Sequence, residues 1–179
     1  MILAQTARNR ISPRILPFQV LPPLIFHGKL CASMATTGKQ LYPIVDAFWH
    51  DVQAITPNSP PAAYTKFASY FAPDAKAWMS GMGNPGTVGR QEAIESMHGL
   101  QKFWKLKEHK VIMRAHSEDG KTIISEMSNV LEIAGVEVRD FPETEIVEFD
   151  DQGLIKTYRL YCDPSPIKQV FADLTAKSR

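Results

Sequence analysis

KTIISEMSNVLEIAGVEVRDFPETEIVEFDDQGLIKTYRLYCD, residues 121 to 163, decides the fold. Along it apolar and polar side chains alternate with the period of two that belongs to a strand covered on one face. Two turn signals divide it, Ala134-Gly135 and Asp150-Asp151-Gln152-Gly153, and a third, Glu118-Asp119-Gly120, precedes it. The reading is a four-stranded antiparallel meander over 107–117, 122–134, 136–149 and 154–162, with Pro142 marking a bulge or bend in the long third strand. In the second of these strands Ile123, Ser125, Met127, Asn129, Leu131 and Ile133 form the more apolar face. In the last, Tyr158, Leu160 and Cys162 share one face, and Arg159, Tyr161 and Asp163 share the other.

Upstream the period is helical. Leu41, Ile44, Val45, Phe48, Val52 and Ile55 lie on one stripe, which predicts a first helix ended by Thr56-Pro57. Ser59 before Pro60 and Pro61 is a start signal for a second, which runs to about Phe71 and is stopped by Pro73-Asp74. A short strand over 75–80 carries Trp78 and leads into the glycine-rich turn Gly81 to Gly86. Gly89-Arg90-Gln91-Glu92 opens a third helix with an acid near its positive end and Ala93, Met97, Leu100 and Trp104 inward. Ser165-Pro166 begins a short terminal helix.

Length and composition bound the rest. At 179 residues the chain fits one domain with an extension, since domains commonly run about 100 to 200 residues. Residues 1 to 45 hold five Lys or Arg and no acid, so every one of the 19 Asp and Glu lies downstream, on an acidic body. That balance argues against a nucleic-acid surface, which requires clustered cations. Residues 1–38 are set aside as a basic extension and 39–179 as the domain. The Arg-bearing, acid-free stretch over residues 1–33 reads as a transit peptide, or as a disordered extension, with Met34 as an alternative start. The location is accordingly cytoplasmic, or mitochondrial if the arm is a targeting signal. Two cysteines, Cys31 and Cys162, give no disulfide framework. No apolar run reaches the roughly 18 to 20 residues that span a bilayer, so no membrane partner is expected.

Three helices followed by a curved meander, with Gly89-Arg90-Gln91-Glu92-Ala93-Ile94 opening the third helix and an acidic turn before Tyr158-Arg159-Leu160-Tyr161-Cys162-Asp163, resemble the nuclear-transport-factor-2-like superfamily. Within it the chain is similar to the SnoaL-like, polyketide cyclase-like branch over residues 41 to about 175. The resemblance implies an α+β cone: three N-terminal helices on a curved antiparallel sheet, a short C-terminal helix and a pocket between them. It does not choose among the superfamily's cyclases, isomerases, hydrolases, dehydratases and binding modules.

The family's catalytic groups do not transfer. In SnoaL-like cyclases the last strand resembles His-Trp-Asp-x-x-Asp, and in the epoxide hydrolases Trp-Arg-Asp-Tyr-Phe-Asp, the first aspartate being catalytic. Leu160 stands at that position and has no proton to exchange. The hydrolases' Arg-x-Asp pair is matched by Met127 and Asn129, and the isomerases' basic aspartate by Trp78-Met79-Ser80. Asp140 and His98 are the substitute acid/base candidates, each with solvated surface as its bland alternative; His109 and His116 also sit where they could face the cavity. No His-x-x-x-His spacing appears, so neither metal nor cofactor is expected. The ligand-binding residues expected are Trp49, Tyr64, Trp78, Ser80, Met97, Met127, Asn129, Tyr158, Leu160 and Cys162, joined by Phe48, Met82 and Ser125. This lining suits an apolar polyketide- or terpenoid-like molecule. The function implied is a small-molecule isomerase, cyclase or dehydratase with a relocated acid/base group. The alternative is a non-catalytic dimeric interaction module with a vestigial pocket; a homodimer through the outer face of the sheet is expected on either reading.

Overall fold

The computed structural model describes residues 31–80 and 86–178, with side chains from Gly38 onward. The basic extension before Cys31, Met82 and most of the glycine-rich turn lie outside the described residues. The element order is α1 Cys31–Ala54, α2 Pro61–Ser69, β1 Phe71–Ser80, β2 Thr87–Val88, α3 Gly89–Leu100, β3 Trp104–His116, β4 Thr122–Ile133, β5 Val136–Phe149, β6 Ile155–Cys162 and α4 Ser165–Lys177. The strands form one sheet in the order β2-β1-β6-β5-β4-β3. All neighbours are antiparallel except β1 and β6, which run parallel.

The four-strand meander is β3 to β6. On β4 the alternation holds along its whole length: Ile123, Ser125, Met127, Asn129, Leu131 and Ile133 are all buried. They face α1, whose Val45, Phe48 and Val52, with Ile55 just past its end, form the expected stripe. Tyr64 and Phe67 of α2 and Ala93 and Met97 of α3 complete the core. No helix among the described residues is long and apolar enough to cross a membrane.

Four boundaries differ from the sequence expectation. α1 begins at Cys31, upstream of the apolar stripe, and runs through Pro43. α2 ends at Ser69, and Phe71 already belongs to β1, which carries Pro73 within it. The β1–β6 register breaks between Phe71 and Lys76, which is where a residue without an N–H is tolerated in a sheet. Ser59 does not cap α2; its hydroxyl accepts the Thr56 N–H inside the preceding turn, and Pro60 takes the cap position. Trp104 opens β3 rather than closing α3.

The decisive irregularity is in β5. Leu131 pairs with Val138, yet Asn129 pairs with Phe141, so two residues of β5, Arg139 and Asp140, oppose the single Val130. This is a β-bulge, and Asp140 adopts a left-handed φ of 49° to make it. The bulge inverts the parity of the strand. Before it the even-numbered Val138 faces inward; after it Phe141, Glu143, Glu145, Val147 and Phe149 do. The expected irregularity is thus present, two to three residues ahead of Pro142.

Candidate functional site

The parity change turns two carboxyls into the protein. Glu145 is completely buried and Glu143 is 7% exposed, both on the concave face of the sheet. In register across that face, Glu143 lies between Met127 and Cys162, and Glu145 between Ser125 and Leu160. A buried carboxyl requires partners, and each has a separate set.

Glu143 accepts a hydrogen bond from Asn129 Nδ2 at 2.5 Å. The Asn129 Oδ1 lies 3.0 Å from Nδ1 of His109, its register partner on β3. Glu145 accepts from the indole Nε1 of Trp49 at 2.9 Å. The Ser125 and Tyr158 hydroxyls also lie against its carboxyl, yet Oε1 has no well-formed hydrogen bond to any described residue. Arg114 joins this second set through Ser125, donating from Nε at 3.1 Å while Nη1 reaches Asp46 at 2.7 Å. Trp49 belongs to both sets, because its ring stacks on His109 with centroids 4.6 Å apart and planes 14° off parallel.

A cavity of about 100 Å³ opens between the helices and this face. That is on the order of the roughly 150 Å³ apolar cavity known to admit benzene, so its interior has room for about one ring. Phe48, Trp49, Phe67, Phe71, Trp78, Trp104 and Tyr158 supply an aromatic wall, and Glu143 is the one acidic side chain among the described residues lining it.

The surroundings set the charge states. Burial, reinforced by the charge of Glu145 and opposed by the Asn129 amide, pushes Glu143 up to about 7. Burial also raises Glu145, against the pull of Ser125, Trp49, Arg114 and Tyr158. Tyr158 is held far above its ordinary value by burial and by both carboxyls, so its hydroxyl keeps its proton. Burial lowers His109, which leaves the imidazole neutral. Burial and the Glu143 and Asp163 charges push Cys162 up to about 11, so it is a thiol and not a nucleophilic thiolate.

Of the residues expected from sequence, Trp49, Trp78, Met97, Tyr158 and Leu160 line the cavity. Asn129 stands behind the wall as the anchor of Glu143, and Met127 is core beneath it. Ser80 and Cys162 meet each other, the thiol pointing to the Ser80 carbonyl at 3.9 Å, away from the lining. Tyr64 is buried elsewhere, donating its hydroxyl to the Thr56 carbonyl and stacking on His98. The acid/base candidates need correction on placement. His98 is exposed on the outside of α3, and Asp140 is exposed at the tip of the β5 bulge. Neither lines the cavity. Asp163 is a turn carboxylate that accepts the Ser165 N–H at 2.9 Å.

Glu143 and Glu145 escaped the sequence reading because strict alternation from Val138 brings Asp140 inward and leaves them out. The signal that could have found them is composition. Phe141-Pro142-Glu143-Thr144-Glu145-Ile146-Val147 places acids in phase with Phe141 and Val147, which are obligate core residues in a strand this apolar.

No family model matches the chain, and no curated protein matches it by sequence. Solved structures do. A Bacillus subtilis protein provisionally named an isomerase superposes with a TM-score of 0.62 at 17% identity, covering 75% of this chain and 94% of that one. An LEH-like epoxide hydrolase from M. tuberculosis gives 0.56 at 18%, covering 73% and 88%. A protein with a ketosteroid isomerase-like fold from Catenulispora acidiphila, solved with trimethylamine, gives 0.55 at 15%, covering 67% and 85%. The chain therefore has the ketosteroid isomerase-like, nuclear-transport-factor-2-like fold, with six strands in a mixed, open and curved sheet.

Proposed function

On this fold, with its cavity ending on a buried carboxyl, we propose that the chain is a proton-transferring enzyme of small, largely apolar organic molecules, an isomerase, cyclase or dehydratase in reaction type. Glu143 is its acid/base group. The observation that carries the reading is the position of Glu143: one carboxyl at the edge of an aromatic cavity, anchored by Asn129 and brought near neutrality by burial. A group that titrates near the working pH serves equally as base and acid. The similarity to an epoxide hydrolase and to an isomerase agrees with small-molecule chemistry in this kind of cavity.

The chemistry balances without further groups. Ionised Glu143 takes a proton from a carbon beside a carbonyl, and the C–H electron pair moves toward the oxygen. Neutral Glu143 then returns the proton to another carbon, or gives it to a leaving group as the electron pair expels it, and is ionised again. An apolar polyketide- or terpenoid-like ketone fits the lining.

The test is hydrogen–deuterium exchange at carbon. Candidate ketones selected by thermal shift are incubated with protein in D₂O. The wild type exchanges the proton next to the carbonyl, and Glu143→Gln, which keeps the Asn129 contact, loses roughly 100- to 10,000-fold in rate. Equal exchange by the two proteins sinks the assignment.

A second reading is favoured by one observation. Met113, Ile124 and Tyr161 are exposed on the convex face of the sheet, a place where a second copy of the chain could pack. On that reading the chain is a dimeric interaction module. Sedimentation of a strict monomer at micromolar concentration removes it.

A further inference from the structure

Resting on that reading of Glu143, we propose that His109 is a positioning residue, which fixes the Asn129 amide and through it the Glu143 carboxyl. The three side chains come from three adjacent strands, β3, β4 and β5. Asn129 has no accessible surface, and its amide performs two different tasks at once. Its Nδ2 donates to Glu143 at 2.5 Å, and its Oδ1 meets His109 Nδ1 at 3.0 Å. An amide alone can rotate by half a turn and present its oxygen to the carboxyl, where it would repel the anion. An N–H on His109 Nδ1 permits one orientation, oxygen to the ring and NH₂ to Glu143.

The ring is held for this purpose. Trp49 stacks on it, and its own indole is tethered to Glu145. Burial keeps the imidazole neutral, so it carries a single N–H. Its Nε2 is buried with no partner among the described residues, so nothing there competes for that proton. The histidine is not itself among the residues that line the cavity; it stands behind Trp49 and reaches Glu143 through Asn129. The other ionisable groups around Glu143 are Glu145 on its own strand, Tyr158 and Cys162 on β6, and, beyond Asn129, Arg114 on β3 with Asp46 on α1. None of them bonds the Asn129 oxygen.

The experiment uses ligand-free, full-length protein with ¹⁵N-histidine and ¹³C-glutamate labels, Glu143 being assigned by its loss in Glu143→Gln. In the wild type, His109 is expected as the neutral Nδ1–H tautomer at pH 7. His109→Phe keeps the stack but removes the donor, and it raises the Glu143 titration midpoint by about one pH unit, as expected for a weakened hydrogen bond to a charged group. His109→Asn, whose amide nitrogen falls close to the Nδ1 position, brings the midpoint back. A proton on Nε2 instead of Nδ1, or a midpoint that His109→Phe leaves unmoved, overturns the proposal. If His109→Phe does not fold, the wild-type tautomer decides alone. Because the titration requires no substrate, the two readings fail separately. A midpoint that follows His109 with no carbon exchange removes the catalytic role and leaves the positioning. Exchange that dies in Glu143→Gln without a midpoint shift in His109→Phe does the reverse.

Discussion

Leu160 and Glu145 face one another across β6 and β5 on the concave surface. The resemblance puts a catalytic aspartate where Leu160 stands, so in this chain the buried acid lies one strand away, opposite that position. The two placements exclude each other. An aspartate at 160 would set another carboxylate a cross-strand distance from Glu145, a like-charged pair beside a carboxyl whose Oε1 already lacks a well-formed hydrogen bond among the described residues. Leu160→Asp is therefore expected to lose at least about 3 kcal/mol in urea denaturation, the cost of an uncompensated buried charge. Leu160→Asp combined with Glu145→Gln should recover a measurable part of that loss. A Leu160→Asp variant as stable as the wild type would show that the face tolerates both acids. Of the two buried acids, Glu145 is held by Trp49 and lies against Tyr158, whereas Glu143 lines the cavity, which is why the proposed function rests on Glu143.

At the scale of elements, the meander and the apolar stripe of α1 were legible because period two and period 3.6 are imposed by geometry on any half-buried strand or helix. On β4 the alternation predicted by period two holds to the last residue, Ile133. The site was legible only in part, since Trp49, Trp78, Met97, Tyr158 and Leu160 lie on regular elements but Glu143 and Glu145 lie beyond a bulge. A two-for-one bulge resets the phase, and no local residue announces it here as a glycine would. Asp140 takes the left-handed φ instead. Asp140→Gly should then stabilise by up to about 1 kcal/mol by relieving that backbone, whereas Asp140→Val, β-branched at positive φ, should destabilise by about 1 to 2 kcal/mol. Chemical denaturation reads both, and a reversed order would mean that the bulge is not formed in solution. The upstream part of α1 is testable in the same way. Gly38 is buried so closely against His116 that an added Cβ would come within 2.3 Å of its ring. Gly38→Ala should destabilise by about 1 to 3 kcal/mol through overpacking, although alanine is the better helix former by about 1 kcal/mol. Adding His116→Ala should reverse the sign, and a helix end undocked from β3 would show the alanine gain alone.

For the molecule as a whole, two buried carboxyls make stability depend on pH in the sense opposite to that of a surface ion pair. Glu143 is raised in the folded state from an ordinary 4.5 to about 7. Between those values the folded chain holds a proton that the unfolded chain has released, so stability falls as pH rises through the window. Below it both states are protonated and the group contributes nothing; above it the cost is complete, about 3 kcal/mol for Glu143 alone. Glu145, raised in the same direction, adds to this slope. Asp51 acts the other way. Despite burial, which works against it, the Lys66 and Tyr70 hydrogen bonds hold it below its ordinary value, so its contribution is lost as pH falls toward that lowered value. The two trends cross, and the maximum of stability is expected near pH 5, at the acidic end of the usual range of about 5 to 8. Urea midpoints measured from pH 4 to 9 should fall steadily above that maximum. Glu143→Gln should flatten the decline, so that its stability relative to the wild type improves by about 3 kcal/mol between pH 4 and pH 9. An unchanged slope in the variant would place the Glu143 proton outside the folded core and remove the physical basis of the site, because the burial that makes this carboxyl costly to the fold is what brings it near neutrality.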